Sequence, residues 1–465
     1  MTSQPAAGQP VRQWLAELAW SPALGLRGNV LIEAGGDRLT AVTPDALQVP
    51  PEVIRLPGLT MPGLANAHSH AFHRALRGIT QSGKGTFWTW REHMYEVADR
   101  LDPDSYLALA TATYAEMALA GVSCVGEFHY LHHGPGGIPY ADPNQMGGAL
   151  IEAAGRAGLR ITLLDTCYLS GGLSADGRQQ PLEGAQLRFG DGTSAGWAAR
   201  VEALGPDTSG ALSAAARAGT AIHSVRAVPP DQMPDVVAWA HRYGAPLHMH
   251  LSEQVAENRA CLAAHRATPA EVLAEAGALG PRSTAVHATH LSHGDIALLG
   301  GIRCHACFCP TTEADLADGI GPARALADAG SPLTLGSDSN AVIDLLEEAR
   351  RVELGERLSS QERGHFTASE LACAATSTGH ASLGWPEAGD LAAGGLADFV
   401  TVALDSPRTA GAPPAAALES VIFGATASDV RSLVVGGKDI VSGGQHQLVP
   451  DVPGALASAI AAVRR

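Results

Sequence analysis

The run LTMPGLANAHSH (59–70) is an apolar stretch of strand length that stops in two histidines one residue apart. The two-residue period of a strand puts both imidazoles on the same side of the chain. Seven more apolar segments follow: VSCVGEFHY (122–130), LRITLLDTCYL (159–169), TAIHSVRAV (220–228), PLHMHLSE (246–253), STAVHATHL (283–291), IRCHACFCP (302–310) and PLTLGSDSN (332–340). Ala-rich helical stretches lie between them, at 103–120, 143–157, 230–243, 269–276 and 322–329, several opening with the Pro that a first turn tolerates. Strands alternating with helices make a parallel α/β sheet. Eight such units over about 280 residues fit a TIM-like (β/α)8 barrel.

Most of these runs end, on their C-terminal side, in His, Glu, Arg or Asp. In a barrel that end is the active face. Outside 59–387 the pattern changes to short β-like runs broken by Gly and Asp (NVLIEAG, RLTAV, ADFVTVAL, VRSLVVGGKDIVSGG). Residues 1–58 and 388–465 are therefore expected to build one small β-sandwich domain from both chain ends, because termini tend to meet at a surface. The Gly-rich, weakly periodic stretch 170–210 reads as an extended loop after the third strand.

Composition narrows the partners. The 465 residues carry 31 Lys+Arg against 47 Asp+Glu, a formal charge of −16, with 46% hydrophobic and 17% charged residues. Such a chain buries a large core. Its acidic balance argues against nucleic acid or an anionic membrane, both of which call for a basic face. The first twenty residues lack a basic start followed by an apolar run and a cleavage site, and no stretch has the length of a membrane span. Seven cysteines, at 124, 167, 261, 304, 307, 309 and 373, suit a reducing compartment better than a disulfide framework. A soluble, cytoplasmic protein with a small-molecule ligand is expected.

His68 and His70 make a natural start for a divalent ion. His248 and His250 end the fifth strand with Glu253 three residues on, His287 and His290 end the sixth, and Asp338 ends the eighth. Neutral imidazoles with a carboxylate suit Zn2+ or, less well, Fe2+, and leave a position for water whose pKa the metal lowers from about 15.7 toward 7. The C-x-x-C of Cys304 and Cys307 lies inside a strand and lacks the second cysteine pair of a closed zinc site.

This ordered set, H-x-H, H-x-x-E, H-x-x-H and a final S-D, resembles the amidohydrolase superfamily, in particular its one-metal deaminases. The resemblance implies His68, His70, His250 and Asp338 as ligands of one metal, Glu253 as the proton shuttle, and His287 as the residue that orients the attacking water. His248 would be a neighbour. Two-metal members bridge their ions with a carboxylated Lys near the end of strand four, but lysine occurs here only at 84 and 438.

Three further motifs, FWTWREHMY (87–95), GEFHYLHH (126–133) and HSVR (223–226), are similar to those of the formimidoylglutamate deiminases. That likeness implies hydrolysis of N-formimidoyl-L-glutamate to N-formyl-L-glutamate and ammonia in histidine degradation, and a homodimer. Arg91, Tyr130, His223 and Arg226 would bind the substrate. A dianion needs cationic and hydroxylic groups, and the planar guanidinium pairs with a carboxylate through two hydrogen bonds. Where the family carries Gln after the metal pair, this chain has His73, which can still donate a hydrogen bond. The alternatives are a deaminase of flat purine, pterin or triazine-like rings, which asks for stacking rather than cations, and a metal-binding protein without turnover.

Overall fold

The computed structural model describes residues 11–82, 85, 87–204 and 214–464. Eight parallel strands form one sheet: β1 (Leu64–Ser69), β2 (Val122–His129), β3 (Arg160–Cys167), β4 (Ala216–Ile222), β5 (Leu247–Leu251), β6 (Ser283–His287), β7 (His305–Phe308) and β8 (Leu333–Leu335). They follow chain order, and a bridge between Ser69 and Asp338 brings the last strand back to the first. The seam is held by the His70 amide donating to the Asp338 carbonyl (3.1 Å) and the Asp338 amide to that of His68 (3.0 Å). Gly336 permits this approach, because a Cβ there would lie 2.8 Å from the His68 carbonyl oxygen.

The crossover helices start where the chemistry of their ends dictates. Pro103–Leu119 opens on an Asp102/Ser105 capping box with Pro at the first position, and Pro269–Glu275 on Thr268 with Glu271. Each such cap stabilises its helix by about 1 kcal/mol.

Both chain ends share a second eight-stranded sheet, in the order 445–446, 438–442, 430–435, 399–402, 54–62, 11–21, 25–35 and 38–43. It is one continuous sheet that curls until its edge meets segment 394–397, where the Leu39 amide donates to the Gly395 carbonyl at 2.9 Å. Trp14, Ile32, Leu39 and Phe399 fill its own core. Residues 59–62, expected to open the first barrel strand, belong to this sheet instead, since Leu59 to Pro62 pair with Val402 to Phe399. A buried clasp joins the two sheets: Arg160 on β3 grips Asp398 through two nitrogens, at 2.5 and 3.0 Å.

The stretch 170–210 departs from the expected loop. It contains a two-rung hairpin (Gly172–Leu173 with Gln179–Gln180), a short 3-10 turn (Gly184–Arg188) and the helix Ser194–Leu204. Tertiary anchors override the weak periodicity: Trp197 is buried with its indole nitrogen donating to Asp165 (3.0 Å), and Arg200 pairs with both Asp165 oxygens at 2.8 Å. Residues 205–210 of that stretch lie outside the described residues, as does Lys84. Among the described residues no helix is long and apolar enough to cross a membrane.

Candidate active site

The polar residues at the C-terminal strand ends converge. From β1, the His68 and His70 Nε2 atoms stand 3.4 and 3.3 Å from Asp338 Oδ1. Beyond the end of β5, Glu253 places Oε1 4.0 Å from His287 Nε2, and on β5 itself His250 Nε2 is 3.1 Å from His68 Nε2. His287, ending β6, brings Nε2 within 3.7 Å of Asp338 Oδ2. Ligand atoms of His68, His250, His287 and Asp338 all lie within 4.8 Å of one another, with His70 against the same carboxylate.

Three of the rings are aimed by what their other nitrogen does. His70 Nδ1 donates to the Phe128 carbonyl (2.9 Å) and His250 Nδ1 to the His223 carbonyl (3.0 Å). His287 Nδ1 faces Glu313 Oε1 at 3.3 Å, and that oxygen also accepts the Cys309 amide (2.9 Å). Hydrogen bonds of this kind fix a tautomer and turn Nε2 inward, the arrangement metal-ligating histidines show. Burial holds His68 and His250 well below the ordinary imidazole pKa and brings His70 down to about 3, so these rings are neutral donors. Burial opposes charge on His287 too, but Glu253, Glu313 and Asp338 outweigh it and drive its pKa up. The donor set therefore fits a divalent ion.

The backbone is strained where the strands end. Ser252, His287, Ala288 and Asp338 have φ values of 51°, 68°, 49° and 42°, a region L side chains rarely adopt. Each costs on the order of 1–3 kcal/mol, and such strain gathers at functional sites.

Over the cluster lies a cavity of about 270 Å³. His73, Arg91, Tyr130, His223, Arg226 and Glu253 all line it, so every substrate residue expected from the sequence reaches one space. Tyr130 and His73 share a hydrogen bond of 2.9 Å between the hydroxyl and Nε2. Arg91, on the helix Phe87–Arg100, donates to the Tyr95 hydroxyl and to the Gly171 carbonyl (3.2 Å). Arg226 donates to Glu253 Oε2 at 3.2 Å and sets Nε 3.6 Å from Glu257.

His248 turns away to the Ser382 carbonyl (3.0 Å), and His290 to that of Asp318 (2.8 Å). Cys304, Cys307 and Cys309 are buried, the latter two packing with Ala67 and Val286. The sequence reading missed Glu313, Glu257, Trp90, Tyr95, Tyr168, Gln186 and Phe189. Tyr95 and Trp90 sat inside a quoted motif. Glu313 sits just past a strand end, the signal that found the others.

The chain belongs to the amidohydrolase family, whose model matches residues 59–440. It is thus a metal-dependent type of hydrolase acting on C–N bonds, and the curated relatives it matches include several deaminases. The formimidoylglutamate deiminase of Pseudomonas aeruginosa is 36% identical over 93% of this chain and 95% of its own length. The 8-oxoguanine deaminase of the same organism is 31% identical over 76% of each chain. Among solved structures, an amidohydrolase from Brucella melitensis superposes with a TM-score of 0.89 at 32% identity, covering 98% of this chain and all of that one.

Proposed function

We propose that the protein hydrolyses N-formimidoyl-L-glutamate to N-formyl-L-glutamate and ammonia, as a step of histidine degradation. One observation supports this reading: two arginines, Arg91 and Arg226, line the same cavity as His70, His250, His287 and Asp338. A formimidoyl carbon placed at the cluster leaves two carboxylates for them.

His68, His70, His250 and Asp338 would hold one divalent ion, Zn2+ being the best match to three imidazoles and a carboxylate. Bound there, the ion supplies Lewis acidity and activates water at neutral pH. Asp338 takes the proton the attacking water gives up, while His287, whose Nε2 lies 3.7 Å from Asp338 Oδ2, orients that water. Glu253 carries a proton to the nitrogen that departs as ammonia. Arg226, Arg91, Tyr130 and His223 hold the glutamate half, and fixing a reactant in place is worth several kcal/mol of barrier. His73 supports Tyr130. A cytoplasmic location accords with the seven unpaired cysteines.

A second reading, a ring deaminase, draws on five aromatic side chains in the same cavity: Trp90, Tyr95, Tyr130, Tyr168 and Phe189. Sequence composition alone, at 5% aromatic, argued against stacking. The test is ammonia release from N-formimidoyl-L-glutamate beside guanine and 8-oxoguanine, with metal content measured on the same sample. Selective turnover of the glutamate compound supports the proposal, and turnover of a ring alone overturns it.

A further inference from the structure

Glu257, in the first turn of the helix Val255–His265, is 2% exposed, and neither of its carboxylate oxygens has a hydrogen-bond partner. A buried carboxylate left so bare is costly unless a charge compensates it. The compensating charge is Arg226, whose Nε lies 3.6 Å away and makes no hydrogen bond. The same guanidinium already donates to Glu253 at 3.2 Å. One cation therefore serves two acids before any ligand arrives.

We propose that Glu257 is the counter-charge that positions Arg226 and that it takes up a proton when a ligand carboxylate docks on that guanidinium. This rests on the reading that Arg226 anchors the substrate. A docked carboxylate would set three negative groups around one positive group in a water-poor pocket, and such sites neutralise an acid rather than keep all of them charged. Glu253 retains its hydrogen bond to Arg226 Nη2, whereas Glu257 has none to lose.

The charged and titratable groups facing Glu257 are Arg226 from the loop after β4, Glu253 from the end of β5 and His287 from β6, with Cys261 on its own helix. Burial pushes its carboxyl up to about 7, Arg226 opposing and Glu253 adding to the rise. Above that pH the free protein holds Glu257 ionised. Docking draws Arg226 away and raises its pKa further, so a proton enters from solvent, and carboxylate affinity falls as pH climbs, by up to about tenfold per unit.

The experiment is calorimetric titration of metal-loaded enzyme with N-formyl-L-glutamate near pH 8, in two buffers of different protonation enthalpy. Uptake approaching roughly one proton per site is expected in the wild type, and close to that much less in Glu257→Gln, whose affinity should lose its decline with pH. Equal uptake in the two proteins overturns the coupling while leaving the anchor intact. No binding of N-formyl-L-glutamate, with binding of guanine, overturns both the coupling and the functional reading. Should Glu257→Gln not fold, infrared difference spectra of the wild type, with carboxyl-labelled ligand, decide the matter. A new carboxylic-acid band on binding supports the proposal, and its absence overturns it.

Discussion

The cavity has a floor and a wall, and they are made differently. The floor, His68, His70, His250, His287 and Asp338, hangs on strand ends, and backbone carbonyls at 2.9 and 3.0 Å steer His70 and His250. Much of the wall comes from excursions out of the barrel, the helix Phe87–Arg100 and the segment around 171–189, joined by Tyr130, Tyr168, His223 and Arg226 from just past strand ends. Its polar groups hold one another, as when Gln186 donates to the hydroxyls of Tyr95 (2.9 Å) and Tyr168 (3.2 Å). A rigid floor suits a reaction whose atoms tolerate little misplacement, and a wall of interlocking side chains is where a fold changes its substrate. The contrast teaches that within one cavity the groups placed for chemistry and the groups placed for recognition are held by different means.

That division can be broken by substitution, most severely at the floor. Asp338→Ala should lose its metal and fall to background turnover, read by metal analysis and ammonia release. Glu253→Gln should keep the metal and lose about 10²–10⁴-fold in kcat. Full activity would remove Glu253 from proton transfer. Glu313→Ala, which frees His287 Nδ1, should cost about 10–100-fold, with the change visible in the imidazole nitrogen shifts of His287. At the wall, Arg91→Ala should raise KM about tenfold with kcat nearly kept, the loss of a charge-assisted hydrogen bond. Far from both, Asp398→Ala should leave turnover per folded molecule unchanged while lowering stability by about 3–5 kcal/mol, because it strands the buried Arg160; thermal denaturation measures it.

The floor was legible in the sequence because a strand's end is marked where apolar residues stop, and the active face of a barrel lies there. Each of the eight expected segments contributes residues to a barrel strand. The seam between domains was passed over: Pro62-Gly63 is a break signal, but the apolar residues on both sides of it read as one run, whereas the strand Ile54–Pro62 pairs in the other sheet. The helix Ser194–Leu204 stayed hidden because Asp165, far off in sequence, anchors it. Glu257, inside a helix, escaped for the same reason, and Glu313, although just past a strand end, showed no partner in the sequence. Their roles are set by Arg226 and His287, neighbours that exist only once the barrel has closed.

The seam between β1 and β8 also orders events in time. The first two histidines leave the ribosome some 270 residues before Asp338, whose backbone clasps theirs. A nascent chain thus carries the first two histidines without their carboxylate partner until the last strand docks. Contacts so distant in sequence form late in folding. For the proposed ligand set this makes completeness a condition of binding: a chain that stops short of the last strand lacks Asp338, the carboxylate that stands against both His68 and His70.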